Sequence, residues 1–324
     1  MSFRAVQFTA AAIASAALIA GCASAAGSTA SSAAGAVASS AAGYPTADVV
    51  SGVAEDASLH AALLAADPGA AGGLTLGTTY QPGLTGLPHV GQSTASAKSG
   101  ADVDDIGVDI DLRNAVAKVL GTSWNVQNGT FATIIPGVQN GKFTVGQDNF
   151  GVTSAREKIV DFSTYLTDGQ ALLAPSDSSL NSVTNITQLC GLTIGTGAGT
   201  TFQTILQSNA SKCAAAGRKA YTVDYFSDNA AIWLGLANGR IDAYFGPTLS
   251  LKYDATHVAN TKFLSQISST PVGFVTAKGS PLAEILTEAV NELIGDGEYA
   301  KILAKWSISD YGVSASQVNP PATL

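Results

Sequence analysis

From residue 74 the chain alternates short apolar runs of strand length with longer stretches whose apolar positions recur every three or four residues. The run Leu74 to Thr79 alternates and is ended by Tyr80, Gln81, Pro82 and Gly83, which predicts a strand with Tyr80 at its carboxyl end. Residues 83–106 are rich in Gly, Ser and Ala and read as a loop, with Asp102, Asp104 and Asp105 as solvated charge. Residues 107–121 predict a helix: Leu112, Ala115, Val116, Val119 and Leu120 make one stripe, Asp109 or Asp111 caps it, and Gly121 stops it. A strand around 124–126, a short helix over 131–140 and a strand over 145–150 follow. Another strand is expected at 170–174, then a polar connector over 175–185.

The pattern then repeats. Strands are expected at 192–195, 221–225 and 241–245, a glycine-rich turn at 196–201, and helices from 202 and over 228–237. Phe263 and Leu264 begin a return, 272–275 is a strand, and 280–294 and 297–306 are amphipathic helices. Strands alternating with helices imply a parallel sheet covered on both faces. Two α/β units in series, with the chain returning to the first, need two crossings between lobes. The cleft between lobes is then the default binding site.

The beginning of the chain has a different character. Arg4 is followed by an apolar run over 10–20 and by Ile19-Ala20-Gly21-Cys22. A positive start, an apolar stretch and small residues read as an export signal over 1–21. Ile19 to Cys22 resembles a bacterial lipobox, in which Cys22 is acylated and holds the protein to the membrane; an ordinary secretory cut at a nearby alanine is the alternative. Residues 22–70 are a tether of Ala, Ser and Gly with a lead-in. Residues 71–170 then form the first part of lobe one, 171–270 lobe two, and 271–324 the return to lobe one.

Composition narrows the classes. Sixteen basic and 24 acidic residues give a formal net charge of −8, with no basic run, which argues against a nucleic-acid partner. No later apolar stretch has the length of a membrane span. With Cys22 acylated, Cys190 and Cys213 remain, and in an exported protein a disulfide is their natural pairing. His60, His89 and His257 are scattered, no Cys-x-x-Cys occurs, and neither a metal nor a cofactor is expected. No histidine is expected near the cleft.

One stretch concentrates the chemistry. Gln147, Asp148, Asn149 and Gly151 place small polar groups and open backbone where a strand runs out, and Thr153 can cap the turn that presents Arg156. A guanidinium at such a mouth is a two-pronged receptor for a carboxylate. The other reading of Arg156 is a surface charge paired with Glu157 or Asp161.

With these residues placed, the chain resembles the family 3 solute-binding proteins of ABC transporters, those for polar amino acids. The resemblance covers roughly residues 74–312. It rests on Thr78-Thr79-Tyr80-x-Pro82, Gly107 to Leu112, Ile135 to Lys142, Val152-Thr153-x-x-Arg156, Asp161-Phe162-Ser163-x-Tyr165, Gly195-x-x-Ala198-Gly199-Thr200-Thr201, Leu236 to Ala243, and Gly297 to Trp306, in the family's order. It implies a two-lobe periplasmic-binding-protein-like (type II) α/β fold with two hinge crossings. It also implies capture of an amino acid or related small carboxylate, delivery to an ABC permease, and a monomer. By the same resemblance Arg156 grips a ligand carboxylate, with Thr200 and Thr201 as second-lobe donors. Asn149 and Gly151 meet the ligand head group, and Tyr80 and Phe131 sandwich its side chain.

Two departures stand out. Where the family commonly has an acid for the ligand ammonium, this chain has Pro247, and Asp148 replaces a small neutral residue. Asp148 can supply the missing counter-charge from the other lobe, or the ligand has no ammonium. The alternative function is an enzyme on the same scaffold, a dehydratase or a lytic transglycosylase. No Gly-x-Ser-x-Gly elbow or histidine pair supports it, and Asp148 would be a lone acid. Gly195-Thr196-Gly197-Ala198-Gly199 misses the dinucleotide spacing. Trp124, Trp233 and Trp306 are expected in the core, Asp228 as a helix cap, Asp242 at a strand end, and Lys301 and Lys305 on an outer helix face.

Overall fold

A computed structural model describes residues 44–79, 81, 83–92 and 105–324. Cys22, Tyr80, Asp102, Asp104, the expected signal and residues 22–43 of the expected tether lie outside the described residues. In chain order the elements begin with α1 (Ala57–Ala66), β1 (Leu74–Thr79), β2 (Gly91–Gln92), β3 (Asp105–Ile106), α2 (Val108–Val119), β4 (Trp124–Gly129), α3 (Phe131–Gln139) and β5 (Val145–Gly151). Then come β6 (Val160–Pro175), β7 (Thr193–Gly197), α4 (Thr201–Asn209), α5 (Ser211–Ala215), β8 (Thr222–Phe226), α6 (Asn229–Ala237) and β9 (Ala243–Pro247). The chain closes with α7 (Thr248–His257), β10 (Thr261–Ala277), α8 (Leu282–Gly295) and α9 (Glu298–Lys305).

Eight strands form one sheet in the order β4-β1-β5-β10-β6-β9-β7-β8. Within lobe one β1 runs parallel to β4 and β5; within lobe two β7 runs parallel to β8 and β9. The crossings are two long antiparallel strands, β6 with 16 residues and β10 with 17, paired from Thr261–Pro175 to Ala277–Val160. At about 3.3 Å per residue, such a strand extends about 50 Å, enough to serve both lobes. The short strands predicted at 170–174 and 272–275 are segments of these two, so the sheet is mixed rather than wholly parallel.

Each lobe packs apolar side chains on both faces of its sheet. In lobe one, α2 and α8 cover one face through Leu112, Val116, Leu286 and Val290, and α3 covers the other through Ile134 and Val138 against Phe150 and Phe162. In lobe two Leu206 and Phe245 belong to one cluster, Trp233 and Leu251 to the other. Cys190 and Cys213 are joined as a disulfide inside the first of these. Trp233 and Trp306 are buried, and Trp124 is half-buried against the lobe-one core. Asp228 caps α6 through Ala231 N at 2.8 Å, and Asp242 accepts Thr193 N at 2.7 Å.

Several expectations change. Neither Asp109 nor Asp111 caps α2. Its N-cap is Gly107, at φ 141°, where a Cβ would sit 1.9 Å from the His89 carbonyl oxygen. The opening amides of Val108 and Asp109 donate instead to the carbonyls of Pro88 and His89. Asp111 accepts from Trp306 Nε1 at 2.6 Å and pairs with Lys305 Nζ at 2.8 Å, so Lys305 is turned inward, while Lys301 stays exposed beside Glu298. The described part of the 83–106 loop is ordered structure: Gly91–Gln92 pairs with Asp105–Ile106, Leu87 enters the lobe-one core, and Ser250 Oγ of α7 donates to Gly86 O at 3.1 Å.

Candidate functional site

The cleft opens where β1 and β5 of lobe one end opposite the amino ends of α4 and α6 of lobe two. It encloses about 340 Å³, within the range of small-molecule sites. Asp148, Asn149, Gly151, Arg156, Phe131, Thr200 and Thr201 all line it. The structure therefore brings together every described residue predicted for the site.

Arg156 is held by its own loop. Its amide donates to Thr153 Oγ1 at 3.1 Å, which caps the turn as the sequence predicts. Nη1 donates to Gly151 O at 2.9 Å and Nη2 to Gly199 O at 3.3 Å, the latter across the cleft. The guanidinium carbon lies 5.5 Å from the Phe131 ring centre and 5.6 Å from that of Phe150. Neither Glu157 nor Asp161 pairs with it. Asp161 instead takes Lys278 Nζ at 2.7 Å, with Asn319 and the Gly279 amide. Burial lowers the Arg156 pKa to about 10, which leaves it charged at neutral pH. A desolvated cation with donors still open is a strong anion receptor.

Gly151 is needed beside it. A Cβ there would approach Thr270 Cγ2 at 2.9 Å and Thr201 Cγ2 at 3.5 Å. Thr200 caps α4: its Oγ1 accepts Gln203 N at 3.2 Å and donates to Gly197 O at 2.7 Å. The hydroxyl is thus committed to the turn, and what α4 offers the cleft is its opening amides, which favour an anion. Gly199, at φ 76°, lets this turn approach Ala132 of α3, 3.0 Å from where a Cβ would stand.

Asp148 lies at the floor. Its Oδ1 accepts from Thr79 Oγ1 at 3.0 Å, and its Oδ2 is buried without a hydrogen-bond partner. Burial raises its pKa to about 7, against the opposing pull of Thr79. Asn149, at φ 52°, donates Nδ2 to Asp168 Oδ2 at 2.8 Å and leaves a buried Oδ1 free. Both atoms are buried, and both residues line the cleft. Pro247 also lines the cleft and offers neither charge nor N–H.

Several cleft residues were not foreseen. His89 lines the cavity, contrary to the expectation that no histidine would lie near it. It is clasped between Asp168 Oδ2 at 3.1 Å and Asp109 Oδ2 at 3.5 Å. Burial works against its charge, but the two carboxylates outweigh burial and raise its pKa to about 10. Asp168, buried in β6, also takes the amides of Gly169 at 2.6 Å and Leu249 at 3.1 Å. Gln81 accepts from Asn229 Nδ2 of lobe two at 2.9 Å. Phe202, Phe226 and Tyr244 supply aromatic wall from lobe two. A carboxylate interrupting an apolar strand is the one sequence signal that marks Asp168.

The chain is similar to known proteins in sequence and in fold. Residues 98–309 match the family model of the bacterial extracellular solute-binding proteins, family 3. An arginine-binding periplasmic protein of Mannheimia haemolytica is 28% identical over 209 residues, 62% of this chain and 81% of its own. The solved structure of an ancestral arginine-binding protein bound to arginine is 28% identical, with a TM-score of 0.62 over 72% of this chain and 97% of its own. An ancestral amino acid-binding protein, a precursor of cyclohexadienyl dehydratase, is 26% identical, with a TM-score of 0.61 over 72% of this chain and 94% of its own.

Proposed function

The chain belongs to the bacterial extracellular solute-binding proteins of family 3, and from that premise we propose that it captures an amino acid between its lobes and hands it to the permease of an ABC importer. The observation that carries this reading is Arg156, a desolvated guanidinium without an ion pair among the described residues, set opposite the opening amides of α4. The ligand carboxylate lies on Arg156 and α4. Its ammonium, or another cationic donor, is drawn to Asp148 and Asn149, cleft residues whose Oδ2 and Oδ1 are buried acceptors without partners. Asp148 thus does from lobe one what Pro247 cannot do from lobe two. Phe131, which lines the cleft, flanks the side chain.

The lobes close on the ligand because the closed form binds it better. The protein works as a monomer with no chemistry of its own. A lipid on Cys22 would keep it at the outer face of the membrane; that part rests on Ile19 to Cys22 alone.

The test is a thermal-shift screen of the domain against the common amino acids and amine-free carboxylates. A ligand at 100 times its Kd should stabilise by about 2.7 kcal/mol. An amino-acid hit that disappears in Arg156→Ala supports the reading; hits confined to amine-free carboxylates would remove the role given to Asp148. The enzyme reading has one observation in its favour, a buried carboxyl with a pKa of about 7 suited to acid catalysis. Recovery of the bound ligand chemically unchanged after prolonged incubation would count against it.

A further inference from the structure

We propose that His89 is a positioning residue of the ligand cleft: clasped between Asp109 of α2 and Asp168 of β6, it holds Asp168 where that carboxylate fixes both Asn149 at the cleft floor and the start of α7 in lobe two. The proposal rests on the reading that the cleft takes an amino acid.

His89 lies ahead of residues 98–309, the stretch matched by the family model. Its segment is nonetheless built into the site. The His89 carbonyl accepts Asp109 N of α2, and its ring meets Asp109 and Asp168 on opposite sides. Asp168 Oδ2 is shared between His89 Nε2 and Asn149 Nδ2. The Asn149 amide is thereby oriented through Nδ2, with Oδ1 buried and unpartnered, although its backbone sits at φ 52°. Asp168 Oδ1 takes Leu249 N, in the first turn of a helix whose N-cap is Pro247 and which has no side-chain cap of its own. One carboxylate therefore serves the floor of lobe one and a helix of lobe two, beside the crossing at Gly169.

Among the described residues, Asp109 and Asp168 face His89, Asp148 of β5 and Tyr165 of β6 stand close by, and the positive charge of His89 works to lower the Asp148 pKa. Without the imidazolium, Asp109 and Asp168 are left as buried charges without their shared cation. They then move apart, and Asn149 and α7 lose their anchor. The Asp148 carboxyl also becomes harder to ionise.

The experiment is calorimetric titration of L-arginine and L-glutamine into wild type, His89→Gln, Asp168→Asn and the double variant between pH 5.5 and 8.5. For whichever amino acid binds wild type, His89→Gln is expected to weaken binding by about tenfold or more at pH 7. It should also move the acid-side loss of binding to higher pH, and the double variant should recover part of the loss. A folded His89→Gln protein with unchanged affinity and unchanged pH profile overturns the proposal.

A measurement on wild type covers the case in which the variant does not fold. The chain has three histidines, so the His89 ring is assignable by NMR. Its ring should remain protonated up to about pH 10 and shift when the cleft is filled. Titration near the ordinary value of about 6.5 would overturn the clasp. If neither amino acid binds wild type, those two are removed as ligands, and the ring titration still decides the clasp.

Discussion

Arg156 Nη2 of lobe one donates to the carbonyl oxygen of Gly199 in lobe two at 3.3 Å, so a single side chain both faces the cavity and ties the lobes together. A guanidinium has five N–H donors, and this contact with the one to Gly151 uses two of the side chain's groups while leaving others for a ligand. Arg156→Ala should weaken ligand binding by about 100-fold or more, since a charge-assisted, partly desolvated contact is lost together with the tie. Arg156→Lys should restore little, because an ammonium cannot hold Gly151, Gly199 and a carboxylate in one plane. Calorimetry on both variants checks this; a lysine variant of near wild-type affinity would show that charge alone suffices.

A second tie crosses at the other wall, where Asn229 Nδ2 donates to Gln81 Oε1 at 2.9 Å. It is a neutral bond, of about 0.5–1.5 kcal/mol net, and it exists only when the lobes are close. Gln81→Ala should therefore lower ligand affinity by a few-fold, to about tenfold at most, by favouring the open form. The melting temperature of the ligand-free protein should hardly move. Solution scattering should show a larger radius of gyration without ligand and the wild-type value at saturation.

The disulfide between Cys190 and Cys213 closes a loop across 23 positions and sits in a lobe-two core beside Leu189, Ile194 and Leu206. A loop of this size should contribute about 2–4 kcal/mol. Reduction, or Cys190→Ala with Cys213→Ala, should lower the melting temperature measurably, with ligand affinity at 25 °C kept within a few-fold. The cysteines lie away from the cleft, so a large loss of affinity would mean that the loss of stability reaches α4.

What could be read from the sequence was what is local. Thr153 stands three residues before Arg156, Asp228 three before Ala231, and Thr200 three before Gln203, so capping chemistry marks each turn directly. The cleft's anion side follows from those turns. The floor does not. His89, Asp109 and Asp168 meet only after β6 crosses between lobes, and the sequence pattern makes β6 look shorter than it is because Ser163, Thr164, Asp168 and Gln170 interrupt its apolar run while being buried. Helix α7 was missed because Thr248, Leu249, Ser250, Leu251 and Lys252 alternate like a strand; the helix is started by an acceptor, Asp168, far away in sequence.

Asp148 gives a pH dependence with a definite sign. In the free protein burial holds its pKa at about 7, above the roughly 3.9 of an unfolded aspartate. The folded state therefore binds more protons than the unfolded state between about pH 4 and pH 7, and this group's contribution to stability is lost as pH rises through that window. Asp148→Asn should raise the melting temperature of the ligand-free protein at pH 8 and change it little at pH 4. Ligand binding runs the other way. A cationic group on Oδ2 needs the carboxylate, so affinity should fall as pH drops below about 7, by at most tenfold per pH unit, with a proton released on binding at pH 6. Titration in phosphate and in bis-Tris, which both buffer near pH 6 and whose protonation heats differ, would count that proton. Equal heats in the two buffers at pH 6, together with an unchanged affinity in Asp148→Asn, would mean that the ligand's cationic group rests elsewhere, with Asn149 Oδ1 and the backbone as the remaining acceptors.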